Sequence, residues 1–99
     1  MSAKLTPIHP GEILREEFLL PLNLSSGAVA RAIGVPRTRI ERLAKEQVEL
    51  TPDTALRLAR FFATSPDFWM NIQSRYALET ASDALSGQLE HIQPMQRAS

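Results

Sequence analysis

The chain has 99 residues, of which 43% are hydrophobic and 22% are charged. This length and this composition are those of one small globular domain. The absence of cysteine excludes a disulfide framework, a thiolate nucleophile and sulfur-ligated zinc, and two widely separated histidines argue against a histidine metal site. We therefore expect neither a metal nor a cofactor.

The hydropathy of the chain gives no membrane signal. No stretch approaches the roughly 18 apolar residues of a membrane-spanning helix, and the first residues lack the apolar run of a secretory signal. We therefore expect a soluble, cytoplasmic protein that does not contact a membrane.

The charged residues are unevenly distributed. Eleven lysines and arginines balance eleven aspartates and glutamates over the whole chain. Residues 21–45, however, contain five cations and one anion, which is a local charge of +4. A basic island on a neutral protein is the electrostatic footprint of a small nucleic-acid-binding domain, although a solvated helix face gives the same pattern.

Glycine and proline divide the chain into five predicted helices, without the alternation typical of strands, so we predict an all-α fold. The first helix is expected over residues 10–20, with proline near its start and Ile13, Leu14 and Phe18 on its inner face. His9 is expected to mark the entry to this helix rather than to act as a catalytic base.

The second and third helices are short. The second is expected to begin after Ser25, whose hydroxyl is placed to cap it, and to end before Gly34. The third is expected from residue 36 or 37 to about residue 45, with Ile40 and Leu43 facing inward.

The fourth and fifth helices begin with similar signals, TPD at residues 51–53 and SPD at residues 65–67. Each signal combines a capping hydroxyl, a proline in the first turn and an acid at the positive end of the helix dipole. The predicted inner face of the fourth helix consists of Ala55, Leu56, Ala59 and either Phe61 or Phe62.

The fifth helix has more apolar residues than a five-helix core requires. Its predicted inner stripe contains Phe68, Ile72 and Tyr76, with Trp69 beside it. The apolar pattern continues well beyond this stripe, and we expect the surplus to form an interface with a second copy or another partner. The predicted interface residues are Tyr76, Leu78, Leu85, Leu89 and Ile92.

The spacing within residues 30–43 is typical of a helix-turn-helix. Counted from Ala30, Gly34 lies four residues on, Ile40 ten residues on and Leu43 thirteen residues on. The small residue allows the two helices to approach, the glycine takes a left-handed turn conformation, and the later apolar residues fix the second helix across the first. A helical hairpin without a DNA-binding role is the alternative.

In a helix-turn-helix the second helix enters the major groove with its N-terminal residues leading. Because Ile40 and Leu43 face inward, we expect the outward residues to contact bases and the flanking cations to contact phosphates. Ser25 and Ser26 place amides and hydroxyls where a phosphate can dock, with plain helix capping as the alternative. The predicted base-reading residues are Arg37, Thr38 and Arg42, and the predicted phosphate-contacting cations are Arg39 and Lys45.

With these residues identified, the sequence resembles the HigA-type antitoxins of bacterial toxin–antitoxin operons, within the lambda-repressor-like (XRE) helix-turn-helix superfamily. The resemblance covers roughly residues 9–78 and rests on the segments HPGEILREEFLLPLNLS, AVARAIGVPRTRIERL and TPDTALRLARFFATSPDFWMNIQSRYAL. It implies a five-helix lambda-repressor-like fold and a dimeric repressor that binds its own operator. It also implies neutralisation of HigB, a RelE-like toxin that cleaves mRNA.

The segment after the third helix departs from the family pattern. Many relatives carry a loop similar to NGRRGIT, whereas this chain has KEQVELT. We expect Glu46 and Glu49 in this loop to oppose phosphate binding. Pro36 stands where a serine cap is common, which removes a side-chain acceptor at the start of the third helix.

These observations predict a helix-turn-helix DNA-binding domain over residues 1–80 and a C-terminal extension over residues 81–99 that is partly helical and then mobile. We expect an antitoxin and autoregulatory repressor that forms a homodimer and has operator DNA and a HigB-like toxin as partners. We expect no enzymatic activity. The alternatives are a stand-alone XRE-type regulator without a toxin and an antitoxin that binds only the toxin.

Overall fold

The computed structural model describes residues 6–96, and in that range the chain forms five α-helices and no strand. The all-α prediction is therefore confirmed. The predicted mobile end falls partly on residues 97–99, which lie outside the described range. The helices are α1 (Pro10–Ile13), which continues as a π-helical segment (Leu14–Leu19), α2 (Ser26–Ile33), α3 (Arg37–Ala44), α4 (Pro52–Phe62) and α5 (Pro66–Leu89).

Side chains cap four of these helices at their N-termini. The Nδ1 atom of His9 accepts a hydrogen bond from the Gly11 amide at 2.9 Å, which confirms the role expected of His9 at the entry to α1. The hydroxyl oxygens of Ser25, Thr51 and Ser65 each accept from the amide three residues on. These contacts satisfy amides that lack a partner within the helix.

The first helix is not α-helical throughout, contrary to the prediction. After α1 its hydrogen bonds join residues five apart, as when the Arg15 carbonyl oxygen accepts from the Leu20 amide at 3.0 Å. A π-helical repeat brings residues five positions apart onto one face. Leu14 and Leu19 are consequently both buried, whereas Phe18 is only partly buried.

Trp69 is the largest fully buried side chain in the core. Its ring packs on Phe18 and Phe62, with centroid distances of 5.1 and 6.4 Å. The indole N–H donates to the Thr64 hydroxyl at 2.8 Å, so its one polar atom is satisfied. Phe68, which the sequence placed on the inner stripe of α5, is 39% exposed, and that prediction was wrong.

The inner face of α4 also differs from the prediction at one position. Leu58 is fully buried, whereas Leu56 is 58% exposed. Ala55 and Ala59 are buried as expected. Residues 55, 58 and 59 follow the i, i+3, i+4 spacing of one helical face, and residue 56 lies about 100° away from residue 55 around the helix.

Helix α5 projects beyond the rest of the molecule. It runs without interruption for 24 residues, a length of about 36 Å, and all of residues 80–96 are exposed. The radius of gyration is 17.2 Å, compared with about 13 Å for a compact domain of 100 residues. No helix in residues 6–96, α5 included, combines the length and the hydrophobicity needed to cross a lipid bilayer.

The residues predicted to form an interface differ in how far they are exposed. Leu78, Leu85, Leu89 and Ile92 are 68%, 40%, 45% and 66% exposed. Tyr76 is only partly exposed, because its ring packs edge-on against the buried His9 ring at a centroid distance of 4.8 Å. Tyr76 thus contributes to the packing of the monomer, whereas the other four predicted interface residues are exposed.

Gly11 allows the first helix to approach α3 closely. A Cβ atom at this position would lie 1.8 Å from the carbonyl oxygen of Leu43, a backbone atom that moves only if α3 moves. Gly87, on the exposed part of α5, has no atom within 4 Å of the corresponding Cβ position.

These two glycines form a matched pair for mutagenesis. Gly11→Ala is expected to lower the free energy of unfolding by about 1 to 3 kcal/mol, because the methyl group forces α1 and α3 apart. Gly87→Ala is expected to raise it by about 0.5 to 1 kcal/mol, because alanine favours an exposed helix interior. Urea unfolding followed by circular dichroism measures both, and equal effects would contradict the close contact at Gly11.

Candidate nucleic-acid interface

Helices α2 and α3 form the helix-turn-helix that the sequence spacing predicted. Gly34 ends α2 in the left-handed conformation, with φ 75° and ψ 38°. Ala30, Ile40 and Leu43 are at most 1% exposed and pack the two helices together. Each position of the motif thus has the conformation or the burial that its spacing requires.

The inner face of α3 is apolar and its outer face is basic. Ile40, Leu43 and Ala44 are the buried residues of this helix. A cationic outer face on the second helix of this motif is placed to meet the edges of bases and the phosphates of a duplex. The five residues predicted to contact DNA from α3 and its end, Arg37, Thr38, Arg39, Arg42 and Lys45, are all exposed.

Arg37 lies beside the first turn of α2. A Cβ atom at Gly27 would lie 3.1 Å from Cδ of Arg37, so this arginine is close to the segment that contains Ser25 and Ser26. Its Nε atom is 3.4 Å from Glu41, one turn along α3, and the arginine side chain is 71% exposed. Such an exposed pair contributes little energy, which leaves Arg37 able to exchange this partner for another anion.

Arg39 is held by a network that the sequence did not reveal. Its Nη1 atom donates to Asp53 at 3.1 Å, and the same carboxylate oxygen accepts from Nε of Arg57 at 2.8 Å. Arg57 also donates to the carbonyl oxygen of Ile33 at 2.7 Å. The network connects α3, the start of α4 and the end of α2. Only the i, i+4 spacing of Asp53 and Arg57 is visible in the sequence as a signal.

A surface groove runs between α3 and the segment that leads into α4. Thr38, Arg39 and Arg42 line it from α3, and Glu49 and Asp53 line it from the opposite side. Two cations and two anions therefore share this groove, and the affinity of the groove for an anion depends on which carboxylates are already paired.

The two acids of the loop between α3 and α4 have different surroundings. Glu46 pairs with Arg15 of the π-helical segment at 3.2 Å and is not among the residues that line the groove. Glu49 does line the groove, and its Oε1 atom accepts from the Gln73 amide nitrogen at 3.5 Å. Of the two carboxylates expected to oppose phosphate binding, Glu49 is therefore the one that faces the groove beside α3.

Arg42 and Lys45 form no ion pair with another residue in the range 6–96. Their charges are thus available to an external anion. The Ser25 hydroxyl oxygen already accepts from the Ala28 amide at 3.1 Å, so it caps α2, and its hydrogen can still be donated. Within the part of the chain that the structure describes, no three His, Cys, Asp or Glu side chains are arranged to hold a metal ion.

Part of the chain matches the model of a known protein family. Residues 14–69 match the family model described as Helix-turn-helix. This match begins in the π-helical segment and ends at Trp69, so it includes both helices of the motif and the core that supports them.

Three similar proteins cover most of the chain. Virulence-associated protein I of Dichelobacter nodosus is 47% identical over 78 residues, which are 79% of this chain and 72% of that protein. Antitoxin HigA-1 of Vibrio cholerae serotype O1 is 34% identical over 94 residues, covering 95% and 89% of the two chains. The solved structure of the Pseudomonas aeruginosa antitoxin HigA with the higBA promoter is 48% identical and has a TM-score of 0.88, covering 91% and 99%.

The network around Arg39 can be tested with two aspartates in matched positions. Asp53 and Asp67 each follow a proline in the first turn of a helix, but only Asp53 bridges two arginines. Asp53→Asn is expected to lower the free energy of unfolding by about 0.5 to 1 kcal/mol more than Asp67→Asn. Urea unfolding at low and high salt measures the difference, which salt should reduce. Equal losses of unfolding free energy in Asp53→Asn and Asp67→Asn at low salt would contradict the network.

Proposed function

The chain belongs to the helix-turn-helix family and, within it, to the HigA-type antitoxins, and we propose that it is a cytoplasmic antitoxin that represses its own operon by binding operator DNA. The observation that carries this proposal is the complete helix-turn-helix with a cationic outer face on α3, in a chain that resembles the Pseudomonas aeruginosa antitoxin HigA over nearly its full length. Its partners are double-stranded operator DNA and a HigB-like toxin, and it carries out no catalysis.

In the proposed complex α3 lies in the major groove. Arg37, Thr38 and Arg42 read base edges, since arginine binds guanine O6 and N7 in bidentate fashion and threonine contacts a thymine methyl or accepts a hydrogen bond. The remaining predicted contacts anchor the phosphate backbone. Arg39 then shares its charge between Asp53 and a phosphate. The phosphate-contacting residues are Ser25, Ser26, Arg39 and Lys45.

Base reading by Arg42 can be separated from simple charge attraction. Arg42→Ala is expected to lose about 1 to 3 kcal/mol of binding free energy on the operator and little on random DNA. Arg60→Ala removes the same charge from the exposed surface of α4 and serves as the control. Titrations at one fixed salt concentration compare the variants. An equal loss for Arg42→Ala on both DNAs would assign Arg42 to phosphate contact instead.

We propose that the projecting half of α5 pairs with a second copy of the chain. Leu78, Leu85 and Leu89 are spaced i, i+7, i+11 and therefore share one face, and all three are exposed in the single chain. An exposed apolar face of this kind is typical of an interface. In a two-fold dimer the two α3 helices would be about 34 to 36 Å apart and would read an inverted repeat.

Leu85→Asp is expected to yield a folded, helical monomer with poor operator binding, because the interface would bury a charge without a partner. Thr80→Asp adds the same charge on a different face of α5 and should leave the dimer intact. Sedimentation velocity and circular dichroism measure assembly and folding. A parent chain that sediments as a monomer at high concentration while binding a single half-site would contradict the dimer.

A toxin partner distinguishes the antitoxin from a stand-alone regulator. We expect a small toxin-like reading frame beside the gene and a stable complex when both products are expressed together. A chain that represses its promoter without such a neighbour would be a stand-alone regulator. A chain that binds the toxin but no DNA at low salt would be an antitoxin that acts through the toxin alone.

A further inference from the structure

The C-terminus of α3 depends on a residue from another helix. The last four carbonyl oxygens of a helix have no partner further along that helix. Here the backbone amides of residues 45–47 satisfy the carbonyl oxygens of residues 41–43. The remaining oxygen, that of Ala44, accepts a hydrogen bond from Nη1 of Arg15. Arg15 therefore completes the end of the helix that is proposed to enter the major groove.

The other two nitrogens of the same guanidinium contact carboxylates. Its Nε atom is 2.9 Å from Glu16, and its Nη2 atom is 3.2 Å from Glu46 in the loop after α3. The hydrogen bond to Glu16, followed by that to Glu46, raises the pKa of Arg15 above its ordinary value, and an arginine is charged at physiological pH even without such partners. One side chain thus connects the π-helical segment to the end of α3 and to the following loop.

Glu46, the ion-pair partner of Arg15, lies in the loop that directly follows α3. It follows the last turn of α3 by two residues, and its backbone has a φ of 62°, in the left-handed region that favours glycine. Its carboxylate stands in the loop that follows the cations Arg42 and Lys45. Without Arg15 the carboxylate of Glu46 would lose its ion-pair partner and would stand next to the surface proposed to bind DNA phosphates.

We propose that Arg15 is a positioning residue of the operator-binding surface, which fixes the end of α3 and neutralises Glu46. It acts through the loop and through the carbonyl oxygen of Ala44, without needing to touch DNA itself. The inference rests on the proposed function, because it concerns the same surface. A cation at a helix C-terminus is also favoured by the helix dipole.

A double-mutant cycle tests the coupling between Arg15 and Glu46. Arg15→Gln removes the charge beside Glu46, and because glutamine is shorter than arginine it also removes the donor that reaches the carbonyl oxygen of Ala44. It is expected to weaken binding to operator and random DNA by about fivefold to tenfold at low salt, and less at high salt. Glu46→Gln is then expected to restore most of this loss in the Arg15→Gln background.

The matched background is Arg60→Gln, which removes an equal charge from α4. If Arg15 masks Glu46, the substitution Glu46→Gln raises DNA affinity more in the Arg15→Gln background than in the parent or in Arg60→Gln. The expected difference in this factor is about threefold or more, because non-additivity reports contact between the two sites. Equal gains in all three backgrounds would overturn the inference. A purely structural role for Arg15 predicts no rescue, since Glu46→Gln adds no partner for Ala44.

Arg15→Lys provides a second test. It retains the positive charge, but a single ammonium group does not reproduce the three guanidinium contacts, so a folded Arg15→Lys is expected to bind the operator less tightly than the parent and more tightly than Arg15→Gln. Binding no tighter than that of Arg15→Gln would overturn the neutralising role. Failure of the parent chain to bind its operator would refute the proposed function, whereas a parent that binds while the variants behave additively refutes only the role of Arg15.

Discussion

An isolated helix of eight residues is not stable in water, so α3 exists only because the rest of the protein holds it. Its inner residues Ile40 and Leu43 are buried against the core, and this packing determines which residues remain outside. Gly11 brings the first helix against the end of α3, where no Cβ atom would fit. The basic outer face is thus a consequence of the apolar contacts on the opposite side.

Polar contacts hold the start and the end of α3 in addition to the apolar packing of its inner face. Asp53 binds Arg39 near the start of the helix, and Arg15 binds the carbonyl oxygen of Ala44 at its end. The ion pair of Asp53 is exposed and individually weak, whereas the hydrogen bond from Arg15 to Ala44 is partly buried. Together they connect α3 to the π-helical segment, to the start of α4 and, through Arg57, to the end of α2, so that a short helix presents its cations in one orientation.

The sequence predicted the parts of this structure that depend on local rules. The spacing of Ala30 and Gly34 identified the turn, and the capping residues identified the helix starts. The π-helical segment was missed because its i→i+5 repeat does not follow the α-helical period. The ion pair of Arg15 with Glu46 joins residues 31 positions apart, and only the folded arrangement of the helices brings such residues together.

In the proposed complex two copies of α3 enter the major groove of one operator. Dimethyl sulfate methylates guanine N7 in the major groove, the atom that an arginine on α3 would bind. On the DNA upstream of its own gene, the protein is expected to protect two clusters of guanines whose centres are roughly 10 base pairs, or a multiple of that spacing, apart. Binding without protection, or protection of a single cluster at saturation, would contradict the account.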